Sequence, residues 1–142
     1  GGAILHDREV TYSVAYPANH AYGEHPSRLY DDVHGAVIEL LRTLGVAAAL
    51  RGTPLADQPF LCFGRGDPRD IVVGGAKVMG SAQRRRKGAV LQHGALLVQR
   101  SPLASEFPGI GDLATVEDAV LERLPELLGE AISSRLGGAC QP

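Results

Sequence analysis

Lys77 stands among small residues, in the run Gly74-Gly75-Ala76-Lys77-Val78-Met79-Gly80-Ser81-Ala82. A lysine brings three hydrogen-bond donors and a point charge, and small neighbours let a ligand approach the backbone. That combination suits a phosphate, a carboxylate or a developing oxyanion. The competing reading is an exposed lysine on an edge strand, a common device against strand-to-strand aggregation. Cys62, between Leu61 and Phe63, is the second candidate. Its thiolate could attack an acyl carbon, and Arg65 and Arg69 bring positive charge close to it in sequence. Burial as a small hydrophobe is the alternative for this cysteine. Cys140 lies far away in an unlike context, so the two cysteines do not form a disulfide framework.

The five histidines are scattered: His20 and His25 share a loop segment, His34 falls on a helix, and His6 and His93 fall on expected strands. None has the spacing of a metal site, and no fixed metal site is expected. His6 and His93 could face a site; hydrogen-bonded sheet histidines are the alternative. Arg84-Arg85-Arg86-Lys87 reads as a solvated turn or as a surface for an acidic partner. Nucleic acid is a poor fit, because the formal net charge is −2 and none of the seven aromatics falls in the cluster.

The elements that must carry these residues follow from periodicity. Val10–Tyr16 alternates with period two, and with Ala3-Ile4-Leu5 it predicts two strands or one bent strand ending at Pro17. Ser27 is read as an N-cap opening a helix over 28–44, with Leu29, Val33, Val37, Leu40, Leu41 and Leu44 on one face and Gly45 just past its end. Val46–Leu50 and Asp70–Val73 are expected strands, and Gly74-Gly75 signals a hairpin returning through Lys77–Gln83. Ala89–Val98 is the next strand. Residues 101–113 are expected to be loop, Thr115 to cap a helix from about Val116, and Pro125 to restart it to about Leu136. The order predicts an α+β fold: one mixed or antiparallel sheet with helices packed on it.

At 142 residues the chain has the size of one domain, large enough for a core without disulfides. No apolar run nears 18 residues, so no membrane partner is expected. Two unpaired cysteines point to a reducing, cytoplasmic setting. The chain opens on Gly1-Gly2 without methionine and enters an apolar run at once, which is read as a catalytic domain missing its N-terminal part. Oligomeric state is not legible.

Two segments resemble the lipoate–protein ligase A family of the biotin/lipoate ligase superfamily. "GGAILHDREVTYSV" is similar to its glycine-rich acyl-binding segment through Gly1, Gly2, His6 and Asp7. "DIVVGGAKVMGSAQRRRKGAVLQHGALLV" is similar to its second hallmark through Asp70, Lys77, Gly80, Ser81, Ala82, Gln83, Arg84, His93 and Gly94, with Ala95 departing from the usual Ser or Thr. The resemblance spans most of residues 1–98. It implies an enzyme that attaches octanoyl or lipoyl groups to a lysine of a lipoyl domain. The Lys77 position would contact the activated acyl carbonyl, or phosphate in an adenylate, while the glycines let the acyl chain lie on the backbone.

Two chemistries are implied by this resemblance. A cysteine-dependent octanoyltransferase takes octanoyl from acyl carrier protein onto a nucleophile that maps to Cys62, with no cofactor. An ATP-dependent ligase instead forms lipoyl-AMP from lipoate, ATP and Mg2+, with Asp70 near the metal. The transferase is the expected activity, since the Cys62 context and the "KxxGSAQRRxKGxxLQHG" pattern fit that branch, although "GRGDPRD" departs from its usual wording. An inactive binding paralogue is the non-enzymatic alternative. Acidic carrier and lipoyl domains are the implied partners, which makes Arg85, Arg86 and Lys87 a candidate docking edge.

Overall fold

The computed structural model describes residues 5–55 and 62–137. Among the described residues there are five strands: β1 Glu9–Tyr16, β2 Ala48–Leu50, β3 Ile71–Val73, β4 Ala76–Arg86 and β5 Ala89–Leu97. They form one sheet in the order β1-β5-β4-β3-β2, with every neighbouring pair antiparallel. Of the two sheet types expected from the sequence, the antiparallel one is therefore realised. The helices are α1 Ala21–Glu24, α2 Pro26–Thr43, α3 Ile110–Leu113, α4 Asp118–Glu122 and α5 Leu124–Leu136, with a 3-10 turn at Cys62–Gly64.

Helix α2 fastens the core to one face of the sheet. Leu29, Val33, Val37 and Leu41 are fully buried along its inner stripe, as apolar residues three and four apart must be on an amphipathic helix. They join Ile71, Met79, Val90 and Leu96 of the sheet and Leu124, Leu128 and Ile132 of α5 in a single cluster. Leu40 and Leu44, read as part of the stripe, are only partly buried, and Ile38 takes a buried place instead. Gly45 ends the helix at φ +78, a left-handed conformation that glycine adopts without a side-chain penalty.

The two central hairpins have the same construction. Val73 pairs with Ala76 across Gly74-Gly75, and Arg86 pairs with Ala89 across Lys87-Gly88. All four loop residues have positive φ, the backbone that two-residue turns need to match strand twist. The basic cluster is therefore not all turn: Arg84–Arg86 finish β4, and only Lys87 lies in the loop.

Other elements depart from the sequence reading by a turn or less. Ser27 is not the cap; α2 starts with Pro26 in its first turn, and His25 precedes it without a side-chain capping bond. Proline needs no amide partner there and has its φ preset, so the helix begins two residues earlier. His6 precedes β1 rather than lying on a strand; its Nδ1 pairs with the Glu9 carboxylate. Two short helices occupy stretches read as loop, α1 and α3. The helix expected from Val116 begins at Asp118, and the one restarted by Pro125 runs Leu124–Leu136 as expected. No helix among the described residues is long and apolar enough to cross a membrane.

Candidate active site

Lys77 is not an edge lysine. It lies on β4, which is paired on both sides, and its side chain is only 11% exposed. Its Nζ sits 3.0 Å from Asp70 Oδ1 and donates to the Arg65 carbonyl at 3.2 Å. The ring of Phe63, on the 3-10 turn, lies 5.4 Å from the same ammonium. A β-bulge aims this lysine: Val72 pairs with Lys77 but Ile71 pairs with Met79, so β4 carries one extra residue, Val78, between them. Bulges re-aim side chains in this way.

Asp70 is held as firmly as the lysine. It is buried just before β3, and the "GDPRD" segment folds onto it as a closed turn. The Asp67 amide donates to Asp70 Oδ2 at 2.7 Å, the Asp70 amide donates to the Asp67 carbonyl at 3.0 Å, and the Arg69 amide donates to Asp67 Oδ1 at 2.9 Å. Arg51 adds a second cation, with its Nε 3.9 Å from Asp70 Oδ2. A buried carboxylate this poor in solvent must be paired and hydrogen-bonded to remain charged, and Asp70 is both.

The pair forms one wall of a cavity of about 280 Å³, near the lower end of the roughly 300–1,000 Å³ typical of small-molecule sites. Gly80, Ala82, His93 and Ala95 come from the sheet, and Phe63, Arg65, Gly66 and Asp67 from the preceding loop. Gly80 pairs with Ala95 and Ala82 with His93, so these four share one face of the sheet. The helices cover the other face. Gly80 makes room for the lysine: a Cβ there would come within 2.7 Å of Lys77 Cε and 3.0 Å of its Nζ. Gly94 is small for a different reason. A Cβ there would meet Ser81 Oγ at 2.5 Å, Tyr12 Cε1 at 2.6 Å and the Gly80 carbonyl at 2.7 Å.

Behind the site runs a buried chain of polar groups whose direction can be worked out. His34 Nδ1 lies 2.6 Å from the Arg69 carbonyl, which can only accept, so Nδ1 carries the proton. Burial is the largest influence on His34 and lowers its pKa from 6.5, keeping the ring neutral; the Arg69 carbonyl bond and the Asp70 carboxylate oppose it. Nε2 is then an acceptor and takes the Ser81 hydroxyl at 2.7 Å. Ser81 Oγ in turn accepts from Tyr12 at 2.7 Å, and Tyr12 accepts from Gln92 Nε2 at 2.7 Å. Burial also raises the Tyr12 pKa, which keeps its hydroxyl a donor. Gln83 closes the chain, donating to Gln92 Oε1 and to the Pro26 carbonyl, each at 2.7 Å.

The structure therefore brings Asp70, Lys77, Gly80, Ser81, Ala82, His93 and Gly94 together at one cavity. Gly1, Gly2 and Cys140 lie outside the described residues, as does the Cys62 side chain; the backbone of Cys62 opens the 3-10 turn that packs on β4. His6 is not among the residues lining this cavity. Arg85, Arg86 and Lys87 are at the far end of the β4–β5 hairpin, where Arg85 Nη2 donates to the Gly23 carbonyl at 3.3 Å. Sequence reasoning missed His34, Tyr12 and Gln92. A signal for His34 existed, since it follows Val33 on the buried stripe of α2, where a polar ring needs partners.

The profile of the lipoyl protein ligase A/B catalytic domain matches residues 1–120. The fold is thus that of a lipoate-ligase-type catalytic domain. The chain belongs to the lipoyl protein ligase A/B catalytic domain family. It is 31% identical to octanoyltransferase LipM of Kyrpidia tusciae in an alignment covering 100% of this chain and 62% of the relative. With octanoyltransferase LipM of Staphylococcus aureus it shares 36% identity over 68% of this chain and 38% of the relative. The chain thus spans between about two fifths and three fifths of these curated relatives. Among solved structures it resembles the putative lipoate protein ligase Ta0514 of Thermoplasma acidophilum with bound lipoic acid, with a TM-score of 0.69, 24% identity, and coverage of 94% of this chain and 54% of that one. A lipoate–protein ligase A bound with ATP superposes with a TM-score of 0.58 at 23% identity, covering 92% of this chain and 52% of that one.

Two stability measurements follow from this geometry. Gly80→Ala meets side-chain ends and no backbone, namely Lys77 Cε and Nζ and Asp70 Oδ1 at 3.2 Å, so its urea-unfolding free energy is expected to fall by less than that of Gly94→Ala. Gly94→Ala meets backbone and a ring and should lose about 1–3 kcal/mol; equal losses in the two variants would contradict the assignment of their roles. Because folding lowers the His34 pKa, its neutral form contributes full stability above the unfolded-state value of 6.5. Below 6.5 the unfolded chain takes up a proton first, and stability falls as pH drops toward the folded-state pKa. Urea titrations at stepped pH should show a steeper decline below 6.5 for wild type than for His34→Gln.

Proposed function

We propose that this chain is the catalytic domain of an octanoyltransferase that places octanoyl, or lipoyl, groups on the lysine of lipoyl domains. The observation that carries the reading is the Lys77 ammonium held on buried Asp70 at a cavity walled by Gly80, Ala82 and Ala95, in a chain whose curated relatives bear the name octanoyltransferase. A carboxylate does not acylate an amine unaided, so the acyl carbon must arrive on a good leaving group. In the relay proposed here, the Cys62 thiolate attacks the thioester carbonyl of octanoyl-carrier protein. The C–S bond to the carrier breaks, and the carrier leaves as a thiol after taking up a proton. The target lysine amine then attacks the Cys62 thioester, loses a proton, and releases Cys62 as a thiol. Two feasible steps replace one difficult transfer.

Lys77 suits this chemistry as an electrostatic donor. Its ammonium is already positioned and desolvated, so it can stabilise the oxyanion of each tetrahedral intermediate without reorganising. The small residues beside it leave the backbone open to an extended acyl chain. Lipoyl domains as acceptors are supported by an archaeal neighbour, a bipartite lipoate protein ligase solved in a study with its E2 lipoyl domain. Octanoyl-carrier protein as donor follows from the transferase reading.

A second reading has one observation in its favour: a structural neighbour of this fold binds ATP. In that case lipoate, ATP and Mg2+ would be substrates, with Lys77 against the adenylate. One experiment separates the two. The full-length protein is incubated with octanoyl-carrier protein without ATP and its intact mass is recorded. An octanoyl adduct on Cys62, lost in Cys62→Ala together with transfer to a lipoyl domain, is the expected result. Full transfer activity in Cys62→Ala would sink the relay, and lipoate-driven ATP–pyrophosphate exchange would establish the ligase.

The hairpin tip supplies a docking prediction. Arg85 already serves the Gly23 carbonyl, so Arg86→Glu/Lys87→Glu tests the exposed charge more cleanly. The double variant is expected to raise KM for carrier and lipoyl domains by roughly tenfold, in a salt-dependent manner, with little change in kcat. Unchanged KM values would return the cluster to an ordinary solvated hairpin.

A further inference from the structure

We propose that His34 is a positioning residue for the Asp70–Lys77 pair, acting from the helix-covered side of the sheet without touching substrate. The inference rests on Asp70 and Lys77 being the working groups, and not on the choice between transferase and ligase chemistry.

The two atoms that His34 holds lie next to the two parts of the pair. Arg69, whose carbonyl accepts from Nδ1, immediately precedes Asp70. Ser81, whose hydroxyl donates to Nε2, immediately follows Gly80, the residue over which Lys77 lies. One neutral imidazole therefore sets the spacing between the carboxylate-bearing turn and the strand that supports the ammonium. Tyr30, one helical turn earlier on α2, grips the same two places. Its hydroxyl donates to the Ser81 carbonyl at 3.5 Å, and the Arg69 guanidinium lies 5.2 Å over its ring. Side chains four apart on a helix lie one above the other, so α2 presents both as a single clamp.

This clamp lies where the sheet provides least. Strand β3 is only three residues long, and its register with β4 is broken by the bulge between Ile71 and Val72. A bulge leaves its extra residue outside the ladder, so ladder bonds alone do not fix Asp70 against Gly80. His34 is 2% exposed, and both bonds it makes are short. Removing the ring leaves the part-buried Ser81 hydroxyl without its acceptor and the Arg69 carbonyl without this donor, each a loss. Their repair would require the Asp67–Asp70 turn or β4 to shift, and a shift of about 1 Å at a reacting group can cost on the order of 10²-fold in rate.

Glutamine provides the conservative control, because its amide also carries one donor and one acceptor on a planar group, whereas leucine keeps only the bulk. In the full-length protein, hydrogen exchange at the Asp67 and Asp70 amides is measured for wild type, His34→Leu and His34→Gln. Steady-state kcat and KM for octanoyl transfer are measured in parallel. His34→Leu is expected to lose protection at those two amides by at least about tenfold while the β1–β5 amides keep theirs. Its kcat should fall by about 10²-fold with KM changed less than about threefold. His34→Gln should recover most of both losses. Wild-type protection at Asp67 and Asp70 in His34→Leu, or wild-type kcat, overturns the proposal, as does equal damage in the leucine and glutamine variants. Should His34→Leu fail to fold, Ser81→Ala removes one arm of the clamp, and unchanged exchange at Asp67 and Asp70 there overturns it as well. The exchange measurement needs no turnover, so it decides the role of His34 even if the wild type transfers no octanoyl group.

Discussion

The ion pair between Lys77 and Asp70 is the constraint that the rest of the site obeys. Charges removed from water are tolerated only when each is matched and hydrogen-bonded, and much of the local structure meets that requirement. The Asp67–Asp70 turn supplies an amide to one carboxylate oxygen while the lysine takes the other. The bulge at Val78 turns Lys77 toward it, Gly80 leaves room for the aliphatic stem, and Phe63 covers the ammonium. What results is a cation that is fixed and poorly hydrated at the edge of a cavity, the condition under which an electrostatic donor is worth most to a reaction developing negative charge.

Holding that pair requires order on the opposite face of the sheet. The helical side is apolar along Leu29, Val33, Val37 and Leu41, but a polar chain from Gln83 through Gln92, Tyr12 and Ser81 to His34 passes beside them. Each bond along the chain has one donor and one acceptor, from the Gln83 amide at one end to the Arg69 carbonyl at the other. Such networks specify a single arrangement of the elements they join. Here they join β1, β4, β5 and α2, which is why a histidine on a helix can bear on a lysine across the sheet.

Much of this was legible from the residues. The helix stripe, the glycine hairpin, the strands on either side and the final helix all came from periodicity and turn chemistry. Lys77 stood out from its small-residue neighbours, and Asp70, Gly80, Ser81 and Gly94 came from the resemblance of one motif. The errors have physical causes. Ser27 has the chemistry of a cap, but Pro26 is already shaped for the first turn, and proline prevailed. The arginines of the basic cluster were read as turn, yet a two-residue loop needs only Lys87 and Gly88, so the strand keeps the other three. Tyr12 and Gln92 look like ordinary strand residues, and no local rule reveals that their polar ends meet.

The sequence by itself determined which reactive residue types were available, where the chain turns, and which faces must be buried, because these depend on side-chain chemistry and on periods of two and 3.6 residues. Only the tertiary structure decided whether Lys77 was a bland surface charge or a buried one. Its exposure depends on β4 having neighbours on both sides, and that is set by pairing between segments distant along the chain. The same long-range pairing brings His34 to Ser81 and Arg69, 47 and 35 residues away. A side chain's charge is local, but the dielectric and the partners that give the charge its use are not.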